Sequence, residues 1–249
     1  MELHLTNQRA LVTGGTRGLG LAITRGLLTE GVRVAVAGRR TTEEFRAQFP
    51  EVAERVIHLP VDLAQLSQVE TLVTRATQQL GGLDILVNNA GVWPTDSILE
   101  TSTLQWQATV DLNLTAPFVL ARDFARHCLA QTRGGVILNI VSQAAFGGAT
   151  SGHAHYAAAK AALVNLTRSM TRELAVKGIR VNALAPGMMA TDMSAAVLAE
   201  RGDHYRARIP LGRIADPAEV ADVAVFLCSP RSAYVAGATL DVSGGMLLH

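Results

Sequence analysis

The sequence predicts an α/β fold, a single domain doubly wound around a mostly parallel seven-stranded sheet flanked by helices. Short β-branched runs alternate with longer helical patterns along all 249 residues. The alternation shows no fixed-period repeat, low-complexity stretch or linker. The two stretches that interrupt it each follow a strand end. Such alternation implies parallel strands joined by right-handed crossovers, with both sheet faces covered.

In chain order, the strand Ala10–Thr13 leads into a helical pattern over Leu19–Thr29. The strands Val32–Ala37 and Val56–Pro60 precede a helix over Leu66–Leu80. Ile85–Val87 is followed by the helix Leu104–Ala130, and Val136–Val141 by the helix His155–Lys177. Val181–Ala185, the helix Pro217–Cys228 and the strand Thr239–Val242 complete the series. Residues 143–152 are rich in Gly, Ala, Ser and Thr, and residues 187–213 carry only a weak helical pattern. Open α/β sheets bind ligands beyond the carboxyl ends of their strands, so both are assigned as substrate-side loops.

With 49% hydrophobic and 17% charged residues the chain is an ordinary globular one with a sizeable core. Lys+Arg 22 against Asp+Glu 21 gives no electrostatic reason to expect a nucleic acid or an anionic membrane as partner. Cys128 and Cys228 stand apart without metal-ligand spacing, which suits a reducing compartment and predicts neither disulfide nor metal site. The N-terminal stretch lacks an apolar signal-peptide core, and no apolar run reaches the ~18 residues of a membrane span. A cytoplasmic location is expected.

Thr13-Gly14-Gly15-Thr16-Arg17-Gly18-Leu19-Gly20 joins the first strand to the first helix. Glycines let the backbone turn sharply and approach a phosphate, while a helix N-terminus offers free N–H groups and partial positive charge. The spacing is Gly-x-x-x-Gly-x-Gly rather than Gly-x-Gly-x-x-Gly. A generic tight turn would also explain it.

Further on stand Asn88-Asn89-Ala90-Gly91, Asn113, Ser142, Tyr156-x-x-x-Lys160, Pro186-Gly187 and Thr191. With the glycine turn, and in this order across nearly the whole chain, they resemble the short-chain dehydrogenase/reductase family. The 3-oxoacyl-[acyl-carrier-protein] reductase subgroup is the most similar in pattern. The resemblance implies an NAD(P)-binding Rossmann domain over 1–249 and an enzyme that moves a hydride between a nicotinamide and a carbonyl/secondary alcohol pair.

Tyr156 and Lys160 are four residues apart and share one helix face. A free phenol titrates near ~10, and bringing it toward ~7 would take about 4 kcal/mol. A Lys charge in a partly dry site, aided by the positive charge of an oxidised nicotinamide, is the expected source. Tyr156 is therefore expected to be the general acid in reduction and the general base in oxidation. The resemblance further implies that Lys160 holds the nicotinamide ribose, Ser142 steadies the substrate oxygen and Asn113 holds a water linking Lys160 to solvent. His153 and His155 are expected to line the entrance or cap the helix.

After the second strand, Gly38 stands where an NAD site usually places an acid. Arg39 and Arg17 can meet a 2′-phosphate, so NADP(H) is preferred over NAD(H). By resemblance, Gly14, Thr16, Gly18, Leu19 and Gly20 cradle the cofactor. Asp62 and Leu63 flank adenine, Asn89 lies under the adenosine ribose, and Met189 and Thr191 meet the carboxamide. Trp93, Gln143, Phe146, Met188, Met193 and Val197 are substrate-lining candidates, an apolar rim with few charges. Arg133, Arg168 and Arg172 could meet an acidic carrier protein.

Sugar, polyol, steroid and small-ketone substrates stay open, as does a non-catalytic NADP(H)-binding sensor. An epimerase or dehydratase acting on nucleotide sugars would need a larger region after Gly187. The helices Leu104–Ala130 and His155–Lys177 are apolar on more than one side, and related enzymes pair them in homotetramers. A tetramer is expected, with a dimer as the alternative.

Overall fold

The structure, a computed structural model, describes residues 1–40, 42–46, 49, 55–148 and 152–248. Residues 149–151 of the first expected loop lie outside them. In chain order the elements are β1 (Arg9–Thr13), α1 (Gly18–Thr29), β2 (Arg33–Gly38), α2 (Thr42–Arg46) and β3 (Val56–Pro60). Then come α3 (Leu66–Val69), α4 (Leu72–Leu80), β4 (Ile85–Asn88), α5 (Thr103–Val110), α6 (Ala116–Ala130) and β5 (Gly135–Ile140). The remainder is α7 (Ala144–Gly147), α8 (Ala154–Leu174), β6 (Ile179–Pro186), α9 (Ala195–Arg208), α10 (Pro217–Cys228) and β7 (Thr239–Val242).

The seven strands form one sheet in the order β3-β2-β1-β4-β5-β6-β7. Every pairing is parallel, so the expectation of a mostly parallel sheet becomes a wholly parallel one. The order reverses between β1 and β4, and there the loops at the carboxyl ends diverge to leave a crevice.

Burial on both faces explains the near-continuous apolar strands. In β1 and β2, Ala10, Val12, Val34 and Val36 pack with Ile23 and Leu27 of α1 and Val220 and Ala224 of α10. The intervening Leu11, Ala35 and Ala37 pack on the other face with Leu72 and Ala76 of α4 and Leu120 and Phe124 of α6. Each fully buried Leu or Phe stabilises the fold by roughly 1.5–3 kcal/mol.

Two helical expectations are corrected, and the weak helical pattern after β6 resolves into a helix. Leu66–Leu80 is two helices, α3 and α4, separated at Glu70 and Thr71. Leu104–Ala130 is α5 and α6 joined by a π-helical turn over Asp111–Thr115. The stretch 187–213 contains α9, whose backbone leaves helical geometry at Arg201.

At the amino ends of the strands, Asp84 is buried and accepts hydrogen bonds from Arg9 N (3.0 Å), Nε (2.7 Å) and Nη2 (2.9 Å) and from Arg133 Nη2 (3.0 Å). This carboxylate holds the Arg9 guanidinium above its usual range. Arg133 is thus engaged at the end of the sheet opposite the crevice, which corrects its assignment as a free carrier-binding cation.

Candidate active site

The glycine turn forms because its geometry excludes side chains. Gly14 and Gly18 have φ of 65° and 51°, the left-handed region that favours glycine. A Cβ on Gly20 would overlap the Gly14 carbonyl and Asn89 Nδ2. Gly14 N–H donates to Ala37 O (2.7 Å), and Asn89 Nδ2 donates to Thr13 O (2.9 Å) and Gly14 O (3.3 Å). Asn89 thereby braces the turn. Leu19 and Gly20 are buried in the first turn of α1, which follows directly and has neither an acidic residue nor a side-chain cap at its start. The result is a backbone cradle facing a helix N-terminus, which fits a dinucleotide pyrophosphate.

At the end of β2, a Cβ on Gly38 would approach Thr16 Cγ2 to 3.1 Å, so a larger residue there would displace the buried Thr16. Arg17 and Arg39 are both exposed beside this position, and neither makes an ion pair among the described residues. Asp62 closes a turn after β3 by accepting the Ala64 N–H (3.1 Å), next to buried Leu63. In the loop after β6, Thr191 N–H donates to Ser194 Oγ (3.1 Å), and that hydroxyl donates to Met189 O. A Cβ on Gly18 would lie 3.4 Å from Thr191 Cγ2, so this loop meets the glycine turn.

Tyr156 and Lys160 lie on α8, one turn apart. The Ser142 side chain lies close enough to the Tyr156 hydroxyl to act on it, and Ser142 Oγ accepts the Ala144 N–H (3.2 Å). Lys160, only 3% exposed, donates from Nζ to Ile140 O (2.8 Å), and Nζ is 5.9 Å from the Tyr156 ring centroid. Burial pushes the Tyr156 phenol up, partly opposed by Ser142. Burial also lowers Lys160 to about 8. The expected depression of Tyr156 by Lys160 is corrected: Lys160 is not among the groups that shift the phenol here, so protein burial alone raises Tyr156, and at about 8 the ammonium still predominates near neutral pH.

Asn113 is fully buried in the π-helical turn. Its Nδ2 donates to Val92 O (3.2 Å) and Thr109 O (3.0 Å), and its Oδ1 accepts the Val92 N–H (3.3 Å). A Cβ on Gly91 would lie 2.6 Å from Asn113 Oδ1 and 3.6 Å from Lys160 Nζ, so only glycine lets this strand-end loop pass between them.

Two sets of hydrogen bonds that sequence reasoning missed brace the site, one setting α8 against the sheet and one joining the crevice loops. Asn88 Nδ2 donates to Asn139 Oδ1 (2.9 Å), Asn139 Nδ2 to Thr167 Oγ1 (2.9 Å), and Thr167 Oγ1 to Leu163 O (2.9 Å). This buried relay links β4, β5 and α8. Thr13 Oγ1 accepts the N–H groups of Asn89 (3.0 Å) and Ala90 (3.1 Å), tying the two crevice loops together. Polar residues inside apolar strands were the only available signal.

Among the other candidates, His153 is buried at the α8 N-cap position without capping it. Its ring stacks on Trp93 with centroids 4.4 Å apart. Gln143 Nε2 donates to Met246 Sδ (3.1 Å), which brings the C-terminal segment to the loop after β5. Phe146 and Met193 are exposed. No group of three or more His, Cys, Asp or Glu able to hold a metal occurs among the described residues.

A family described as Enoyl-(Acyl carrier protein) reductase matches residues 14–247. The 3-oxoacyl-[acyl-carrier-protein] reductase FabG of Aquifex aeolicus is 38% identical over 252 residues, covering 99% of this chain and all of that protein. A solved structure from Agrobacterium tumefaciens, described as a 2-deoxy-d-gluconate 3-dehydrogenase with bound NADP, is 38% identical with a TM-score of 0.91, covering 98% of each chain. Another from Beutenbergia cavernae, described as an NAD(P)-dependent gluconate 5-dehydrogenase with bound NADP, is 37% identical with a TM-score of 0.92, covering 99% of each. With the glycine cradle, the Ser142–Tyr156 contact and Lys160 assembled at one crevice, the chain belongs to the short-chain dehydrogenase/reductase family of NAD(P)-dependent oxidoreductases.

Proposed function

We propose that the protein is an NADP(H)-dependent reductase of a carbonyl, and dehydrogenase of the matching secondary alcohol, with Tyr156 as its acid and base. The observation that carries this reading is Tyr156 beside Ser142, with buried Lys160 one turn along the same helix and its Nζ 5.9 Å from the Tyr156 ring. NADP(H) when bound supplies or accepts the hydride. Gly14, Thr16, Arg17, Gly18, Leu19 and Gly20 hold its pyrophosphate end. Arg39 and Arg17 take the 2′-phosphate, Asp62 and Leu63 flank the adenine, and Asn89 fixes the turn beneath the ribose. Met189 and Thr191 meet the carboxamide.

Within the site, Ser142 donates to the substrate oxygen and fixes its position beside the Tyr156 hydroxyl. In reduction that hydroxyl gives its proton to the oxygen, and burial favours the protonated form the step needs. Lys160 bonds the ribose and keeps Tyr156 and the cofactor in register. Asn113 holds the Val92 backbone and the π-helical turn, beside the Gly91 that borders Lys160 Nζ.

The test is a panel of carbonyls and alcohols assayed with NADPH and NADH through the absorbance of the reduced nicotinamide. It contains a 3-oxoacyl thioester, polyols and ring and linear ketones. NADPH-linked turnover of at least one carbonyl is expected. Tight NADPH binding with no turnover on any substrate would instead make the protein a sensor.

We also infer a cytoplasmic homotetramer. No helix among the described residues is long and apolar enough to cross a membrane. Leu104, Trp106 and Phe118 on α5 and α6 are exposed, as are Ala154, Ala158 and Ala162 along α8. Light scattering at micromolar concentration is expected to read four chains, and a monomer would contradict this.

A further inference from the structure

We propose that the stacked pair Trp93–His153 is the specificity wall of the substrate crevice, and that it takes an uncharged ring flanking the reacting carbonyl. This rests on the carbonyl-reductase reading and extends it to a substrate class.

Placement comes from α8. Tyr156 follows His153 by three residues and precedes Lys160 by four, so all three fall on one side of the helix start. At 1.5 Å rise per residue, His153 stands about 4.5 Å along the axis from Tyr156, on the side away from Lys160. Lys160 faces Gly91 and the end of β5, the cofactor side. The substrate beyond its reacting oxygen therefore extends toward His153 and Trp93.

The wall is held rigid. His153 Nδ1 donates to Pro94 O (2.7 Å), a carbonyl that can only accept, while its ring lies at 23° to the Trp93 indole. The Asp96 N–H donates to Gly152 O (2.8 Å), joining the loop after β4 to the loop before α8. Trp93 remains half-buried with one face covered by the imidazole, so part of the indole stays available to a ligand. A pre-oriented aromatic surface favours a flat or ring-shaped group over a flexible chain, whose rotamers must be ordered on binding.

Charge narrows the class. The segments 89–102, 141–153 and 187–194, those nearest Trp93 and His153 in the chain, contain no Lys or Arg, and their acids are Asp96, Glu100 and Asp192. Further along the 187–213 stretch, Arg201, Arg206 and Arg213 pair with Glu200, Asp203 and Glu219. Beside Trp93 and His153 in the chain, a carboxylate-bearing substrate would meet no Lys or Arg. An uncharged ring ketone meets none of that desolvation cost. Within the panel, ring ketones are thereby placed ahead of linear acyl groups and sugar acids.

The experiment compares kcat/KM with NADPH for a ring ketone and a linear ketone of equal carbon number, in wild type, Trp93→Ala and Trp93→Phe. Wild type is expected to prefer the ring ketone. Trp93→Ala should lower ring-ketone efficiency about tenfold and linear-ketone efficiency no more than about threefold, and Trp93→Phe should keep the preference. Equal losses on both ketones, or an undiminished ring-ketone rate in Trp93→Ala, would overturn the wall while leaving the reductase reading standing. A wild type that turns over no member of the wider panel sinks the reductase reading itself, and the wall with it.

Discussion

Replacing Tyr156 by Phe is expected to lower kcat by at least ~10²-fold in both directions, with the fold unchanged by circular dichroism. The change keeps the ring that packs on α8 and removes only the hydroxyl. That hydroxyl lies beside Ser142 on the helix that carries Lys160, whereas Tyr205 lies on α9 and Tyr234 is fully exposed after α10. Without it Ser142 can still polarise the substrate oxygen, but no side chain stands ready to protonate it. Steady-state rates within twofold of wild type would remove Tyr156 as the acid.

Replacing Lys160 by Met should separate activity from stability. Burial lowers the Lys160 pKa from 10.5 to about 8. Its folded pKa is thus below its unfolded one, so stability rises with pH between about 8 and 10.5 and is least below that window. At 1.36 kcal/mol per unit the buried charge costs the fold about 3 kcal/mol near neutral pH. Loss of the bond to Ile140 O offsets roughly 1–2 kcal/mol of any gain. The net expectation is a protein stabilised by about 1–2 kcal/mol, with Tm raised by about 2–8 °C, and depleted of activity by at least ~10²-fold. The stability gain should vanish in thermal scans at about pH 10, where wild-type Lys160 is neutral in the fold. A variant that melts below wild type near neutral pH would contradict the picture of a strained ammonium kept for function.

What the sequence showed and hid follows from range. Local signals survive translation well: the glycine turn at Gly14–Gly20, the strand limits of β3 and β7, and the shared helix face of Tyr156 and Lys160 all depend on neighbours in the chain. The π-helical turn around Asn113 was hidden because Leu104–Ala130 is apolar on several sides, so one extra residue leaves no gap in the pattern. The Asn88–Asn139–Thr167 relay was hidden because its partners are 51 and 28 residues apart in sequence. Arg133 looked like a free cation for the same reason, its partner Asp84 being 49 residues away. For Tyr156 the direction differed, because burial raises the phenol. Spacing showed a nearby ammonium but could not show how deeply both groups are buried, which raises the phenol and lowers Lys160.

The most direct measurement is the pH dependence of kcat/KM for the wild-type enzyme in both directions. Because burial favours the protonated phenol, reduction should hold level through neutral pH and fall only at alkaline pH, while oxidation should climb as the base form appears. Oxidation that is independent of pH, or that falls as pH rises, would show that no phenol titrates in the step.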